Sequence, residues 1–451
     1  MASPIELKLS RYLDDDTTLN GAEVTLAHIY NPKPGNGDDD VTESIPIFLE
    51  GEKSSVISTA GNINRMLAAA RKRNEQGYGD RVYLMARAGT ADAWYRTPII
   101  DGRLAYTDDG IIAGLSSGQR TNATLSVTRR GWFEDSSESW LALSNANGTI
   151  TGLNYLNVYN CNDGAGTAPN KRNNYAVAGS AIVTGDLPSP VRLEIKNNGT
   201  ALSSAYVCAS PSQYGAAVPA AYFADCSGSA IATCSGGSAT VTSISTDAET
   251  TLASIDIQND NLKKLGGAPF HVIVRFADTT SLNNVKFSVR IINGAGTSVV
   301  WSSGWFMFPN PYEVMQDMGV INIPPGNISE WWSGNVRIVG KRITANTETI
   351  KIDYMAFFGG AFARIRPVDY SRIKYGDEVI FGGGDRVLTR WDAGYSTAAV
   401  KDLYAVGADT LMLYPGVDNV MLFATQGTAA DAPIENQIAV RASYRPRRST
   451  L

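Results

Sequence analysis

The stretch VRLEIKN, residues 191–197, decides how the rest of the chain is read. Val191, Leu193 and Ile195 alternate with Arg192, Glu194 and Lys196. A period of two sends one side of an extended segment inward and the other toward water, whereas a helix brings apolar residues together every three or four positions. The alternation recurs in IELKL (5–9), HVIVRFA (271–277), VKFSVRII (285–292) and TIKIDYMAFF (349–358), with Lys, Arg or Asp on the opposite face. Turn clusters separate such runs: NPKPGNGDDD (31–40), DGRLAYTDDG (101–110), NANGT (145–149), IPPGN (323–327) and FGGGD (381–385). Many short strands with Gly-rich turns predict an all-β chain of sandwiches or closed barrels, architectures that deal with exposed sheet edges.

One stretch departs from this pattern. STAGNINRMLAAARKRNEQG, residues 58–77, carries good helix formers, basic residues late and a terminal Gly. Ile63, Met66, Leu67 and Ala70 fall on one stripe. The spacing predicts a single helix near 59–75, its apolar stripe packed across a sheet or plugging a barrel end.

The last forty residues are also closely patterned. In LYPGVDNVMLFA (413–424), Pro415 presets one turn dihedral, Gly416 permits positive φ, and Asp418 or Asn419 can bond its own backbone. Downstream, Ile438, Val440, Ala442 and Tyr444 share one face, and the chain closes on the basic YRPRRSTL. This predicts a terminal β-meander.

Composition narrows the function classes. The 451 residues leave room for two to three domains; 43% hydrophobic and 18% charged residues describe neither a disordered nor a membrane chain. No apolar run approaches the ~18 residues of a spanning helix, and MASPIELKL lacks a signal-peptide core, so folding in a cytoplasm is expected. A net charge of −5 offers no general attraction to nucleic acid.

Catalytic signatures are sparse. Cys161, Cys208, Cys226 and Cys234 form no CxxC pair and match no common zinc module, so reduced thiols are expected, with a Cys226–Cys234 disulfide as the rival. His28 and His271 both read as strand residues rather than general bases. The triplets Asp14–Asp16 and Asp38–Asp40 read as solvated turn tips, lacking the spacing of a calcium loop. Phosphate-loop, dinucleotide, serine-hydrolase and zinc-peptidase motifs do not occur. We therefore expect no enzyme, no metal site and no cofactor. A carboxylate pair of a glycosidase is the enzymatic alternative, since it leaves no spacing rule.

Aromatic residues give the best local hint of binding. Trp301, Trp305, Trp331 and Trp332 cluster in VVWSSGWFMF and ISEWWSGNVRI. Adjacent Trp331 and Trp332 point opposite ways in a strand, which would expose one of them. Exposed Trp commonly stacks on sugar rings, and core or inter-subunit packing is the plainer alternative.

Composition shifts near 135–140 and 360–370 suggest three units. These are 1–137, a barrel or sandwich with the helix; 138–363, a large jelly-roll-like sandwich with a Ser/Gly/Ala-rich excursion at 201–240; and 364–451, a C-terminal β-domain with a basic tail.

Two stretches carry a resemblance. RVYLMARAGTADAWYRTPIIDGRLAYTDDGI (81–111), with ATLSVTRRGWFED (123–135) and its step Thr128-Arg129-Arg130-Gly131-Trp132-Phe133, resembles the amino-terminal β-barrel of tailed-phage distal tail and baseplate proteins. LMLYPGVDNVMLFA (411–424) followed by NQIAVRASYRPR (436–447) resembles the ending of the same family. DLPSPVRLEIKNNG (186–199) and VRIVGKRITANTETIKIDYMAFF (336–358) look like a galectin-like or carbohydrate-module jelly roll. The resemblance implies a structural virion protein assembled in the host cytoplasm, most simply a tail-ring subunit contacting copies of itself and other tail proteins. A head-decoration or receptor-binding protein touching host glycans would use the same modules. In that setting Arg445, Arg447 and Arg448 would contact a neighbouring subunit, since Arg pairs bidentately with carboxylates and stacks on aromatics. The family lends no catalytic residue.

Overall fold

The computed structural model describes residues 5–450 apart from 12–14, 20, 22, 36–38, 78–79, 90–91, 107–119, 161–172, 213–222, 227, 232–233, 257–268, 294–297, 323–333, 360, 368–371, 385–386, 392–398, 401–402, 407–409 and 428–434. The fold is all-β, with five sheets and the single α-helix Lys53–Gln76 among the described residues. The chain forms two units rather than three: Met1–Ser139 with Thr184–Ser189 and Arg445–Leu451, and Trp140–Val183 with Pro190–Tyr444.

The first unit is a nine-stranded antiparallel sheet around the helix. Its main path runs Asp15–Thr18, Glu6–Arg11, Val82–Arg87, Tyr95–Tyr106, Arg120–Arg130, Asp40–Glu50, Val24–Leu26. Leu7 and Val24, from opposite ends of that order, share one core with Val56, Ile63, Met66, Leu67 and Ala70 of the helix, so the sheet curls into a barrel-like wrap. The helix stripe is the one its spacing predicts, and the helix ends at Gly77, whose N–H donates to Arg73 O at 2.9 Å. It begins earlier than its sequence suggests because the Glu23 carboxylate, from a distant loop, accepts hydrogen bonds from Ser55 and Thr59 in its first turns. A negative charge there complements the helix dipole.

The step 128–133 has a clear packing role. Arg129 is fully buried: it pairs with the buried Glu43, donates to Lys33 O at 2.8 Å, and sits over Phe133 with the cation 4.4 Å from the ring. The chain's end returns to this unit, where Arg447–Arg448 pairs with Phe133–Asp135. Gly185 permits the closure, because at its φ of 106° an added Cβ would lie 2.5 Å from Arg447 O.

The second unit contains two nested sandwiches. Residues 140–212 and 361–444 build an eight-stranded and a seven-stranded sheet, and residues 223–359 build a six-stranded and a four-stranded sheet. The expected boundary at 363/364 is therefore absent: Ala361–Pro367 and Asp418–Gln426 both pair with Ser204–Ser212. VRLEIKN and VRIVGKR, taken from the sequence as parts of one jelly roll, lie in different sandwiches.

The excursion expected at 201–240 is revised over its first part; 213–222, 227 and 232–233 lie outside the described residues, and 228–230 are exposed. Its residues 204–212 form an interior strand of the seven-stranded sheet, which is covered on both faces. Tyr206 and Cys208 face one core with Val420 and Leu422, while Val207 and Ala209 face the other with Met421 and Phe423. Small side chains suit a strand squeezed between two packed sheets, so the Ser/Ala content of 204–212 reflects close packing rather than exposure.

The 413–424 turn closes as its residues suggest. Gly416 has φ 75°, and the buried Asn419 side chain accepts from Tyr414 N–H at 2.7 Å and donates to Tyr414 O at 2.9 Å. Ile438, Val440, Ala442 and Tyr444 all enter one core with Val191, Leu193 and Ile195.

Candidate binding groove on the inserted sandwich

The four-stranded sheet has the order Thr250–Asp256, Gly334–Arg342, Val285–Asn293, Val299–Ser302. Alternation sends Leu252, Val336, Ile338, Phe287, Val289 and Ile291 into the core. The opposite face is polar and cationic. Cross-strand register sets Lys286 opposite Lys341 and Arg290 opposite Arg337. Like charges placed directly opposite repel, so this arrangement works against sheet stability.

A shallow groove of about 130 Å³ lies on that face, lined by Glu249, Thr251, Arg290, Ile292, Ser298, Val299, Arg337 and Val339. Glu249 forks onto Arg290, with Nη2 to Oε2 at 2.7 Å, and the Arg290 cation lies 5.4 Å from the Trp305 ring centroid. Among the described residues no hydrogen bond or ion pair reaches Arg337, Nε of Arg290 has no acceptor, and Asn335 Oδ1 at the end of the same strand has no donor. The groove thus combines two cations, one compensating carboxylate, the side-chain hydroxyls of Thr251 and Ser298, and an apolar floor.

Of the four expected tryptophans, Trp305 is 41% exposed beside this groove, and Trp301 is half-buried against the core. Trp331 and Trp332 lie outside the described residues. Arg290 and Arg337 were visible from sequence only as outward positions of VKFSVRII and VRIVGKR. Their cross-strand juxtaposition has no local signal.

Arg445, Arg447 and Arg448 find partners within their own unit. Arg445 donates to Ser136 O and lies 3.7 Å from Glu138. Arg447 is 9% exposed, stacked 3.7 Å from the Trp132 ring centroid and 3.6 Å from Glu134. Arg448 lies over Tyr95 and 4.0 Å from Asp135, with 42% of its side chain accessible.

The other candidates of the sequence fall as follows. His28 is exposed just past the strand Val24–Leu26. His271 stacks on Phe362 at 4.0 Å and faces Asp317 at 3.1 Å. Cys208, Cys226 and Cys234 are buried free thiols, so the rival Cys226–Cys234 bridge does not form; Cys161 lies outside the described residues. Burial pushes the Cys208 and Cys234 thiols up to about 12, which keeps them protonated and unreactive at neutral pH. Asp16 and Asp40 pair with Lys8 and Arg130, and no cluster of metal-ligating residues occurs among the described residues.

No family model matches this chain, and no curated protein does. A solved structure described as "Structure of the Phage P2 Baseplate in its Activated Conformation with Ca" aligns over 99% of both chains at 8% identity and a TM-score of 0.30. A likeness that distant bears on neither fold nor role. No helix of the described residues is long and apolar enough to cross a membrane.

Proposed function

We propose that this chain is a non-enzymatic structural subunit of a tailed-phage virion, built into the tail as a distal tail or baseplate ring component. It would contact copies of itself and other tail proteins. The observation that carries the reading is the nesting of the chain: residues from both ends build one unit, and the remainder forms sandwiches inserted between them. An assembly part gains from this plan, because both ends of the chain complete one scaffold unit and the inserted sandwiches are left to make other contacts. The resemblance of 81–111, 123–135, 411–424 and 436–447 to tail-ring sequences supports the same role. Electron microscopy of virions labelled with antibody against the protein tests it, together with sedimentation of the purified chain. Label at the tail tip and a ring-sized species are expected; an unlabelled virion and a protein monomeric at high concentration would contradict the reading.

A second reading, host-polysaccharide binding by the inserted sandwich, is favoured by the exposed Trp305 beside the cationic groove. Binding to surface glycans without release of reducing ends would support it, and release of reducing ends would replace it with a glycosidase.

A further inference from the structure

The groove on the four-stranded sheet carries more charge than the fold uses. Among the described residues, Arg290 is neutralised by Glu249 but Arg337, directly across the strand pair, is not, and Glu249 is the one carboxylate lining the groove. Arg337 thus offers an unclaimed guanidinium edge, which suits a planar oxyanion that accepts paired N–H donors, while Arg290 is committed to Glu249 through both Nη atoms. The groove is shallow and open, so a charged substituent can enter it while the ring that bears it stays at the rim. A ring bearing the substituent would rest outside, against Val299 and Trp305, which are 49% and 41% exposed. Thr251 and Ser298 supply hydroxyls at the groove wall.

We infer that the groove binds the carboxylate of an acidic saccharide, with Arg337 holding the carboxylate and Trp305 supporting the sugar face. This rests on the polysaccharide-binding reading and narrows it to uronate-type glycans. A shallow, open groove gives weak single-site binding, on the order of millimolar, and repeated copies in an assembly would raise it by avidity.

The test uses the full chain with three probes: β-linked glucuronate oligosaccharides, glucose oligosaccharides of equal length, and inorganic phosphate. Chemical-shift titration or a glycan-coated sensor reads the binding, at low and at physiological salt. Glucuronate should bind at least tenfold more tightly than glucose, and the difference should shrink as salt rises. Arg337→Ala should lose at least tenfold, Arg337→Lys should retain part of the binding, and Trp305→Ala should weaken glucuronate while leaving any phosphate binding unchanged. A melting temperature for Arg337→Ala no lower than that of the parent separates loss of binding from loss of fold. Equal binding of glucose and glucuronate would overturn the acidic assignment while sparing the polysaccharide reading. Binding of none of the sugars would overturn both. Phosphate binding as tightly as glucuronate would mark a bare anion site and also overturn the inference.

Discussion

Two cross-strand pairs in the inserted region occupy equivalent positions and do opposite things. In the eight-stranded sheet, Arg441 lies directly across from Glu194, which is 3% exposed, and the two are hydrogen-bonded. The Arg441 cation is also 4.6 Å from each of the Trp140 and Tyr155 ring centroids. In the four-stranded sheet, Arg337 lies across from Arg290 and has no partner among the described residues. The first pair stabilises the sheet it belongs to. The second works against its sheet, which is how residues kept for something other than folding behave. Arg447 in the other unit follows the first pattern, stacked on Trp132 and set beside Glu134.

This contrast predicts a graded set of effects. The largest belongs to a fully committed arginine. Arg129→Ala would leave the buried Glu43 without a counter-charge, held by the Tyr30 hydroxyl and the Lys33 N–H, and should cost about 3–5 kcal/mol, read as a lower urea midpoint for the first unit. A smaller loss would mean that the Tyr30 and Lys33 hydrogen bonds suffice for Glu43.

Arg441→Ala should cost about 1.5–3 kcal/mol, because Arg192, at 3.1 Å, still partly serves Glu194. Arg441→Lys should recover only a minor part, since a point charge cannot fork onto the carboxylate or stack between two rings. Full recovery by Lys would reduce the pair to simple charge neutralisation.

Gly185→Ala tests the chain-end closure without touching any charge. A Cβ at positive φ, 2.5 Å from Arg447 O, should cost about 1–3 kcal/mol and expose residues 445–450 to carboxypeptidase. Resistance equal to the parent would show that the terminal pairing tolerates displacement.

Much of the fold is legible in the chain. The alternation in VRLEIKN and IAVRASY and the stripe Ile63-Met66-Leu67-Ala70 are local, and local periodicity is what a sequence displays. What was not legible is non-local. Strand 204–212 pairs with strands more than a hundred residues away, so its small side chains read as a loop rather than as a doubly covered strand. The same limit hid the groove: VKFSVRII and VRIVGKR each show an outward Arg, but only register brings Arg290 against Arg337. Trp305 was legible as an aromatic and not as exposed.

A smaller effect is pH-dependent. Hydrogen bonds from Ser55 and Thr59 hold the Glu23 carboxyl below its ordinary value. A carboxyl depressed in the folded state contributes stability above its unfolded value, and that contribution fades as pH falls through the folded one. Glu23→Gln should therefore lower the melting temperature slightly at pH 7, and the gap between variant and parent should close in acid. A gap independent of pH would mean that the side chain acts by shape rather than by charge.

The smallest expected change in stability, and the most informative, is at Arg337. Chemical denaturation of Arg337→Ala beside the parent, at low salt, asks directly whether the fold uses that cation. Removing it relieves a like-charge cross-strand pair, so stability should stay equal or rise by up to about 1 kcal/mol. A loss of more than about 1 kcal/mol, on the scale of a satisfied hydrogen bond, would show that Arg337 is part of the sheet's own stabilisation and would contradict the account.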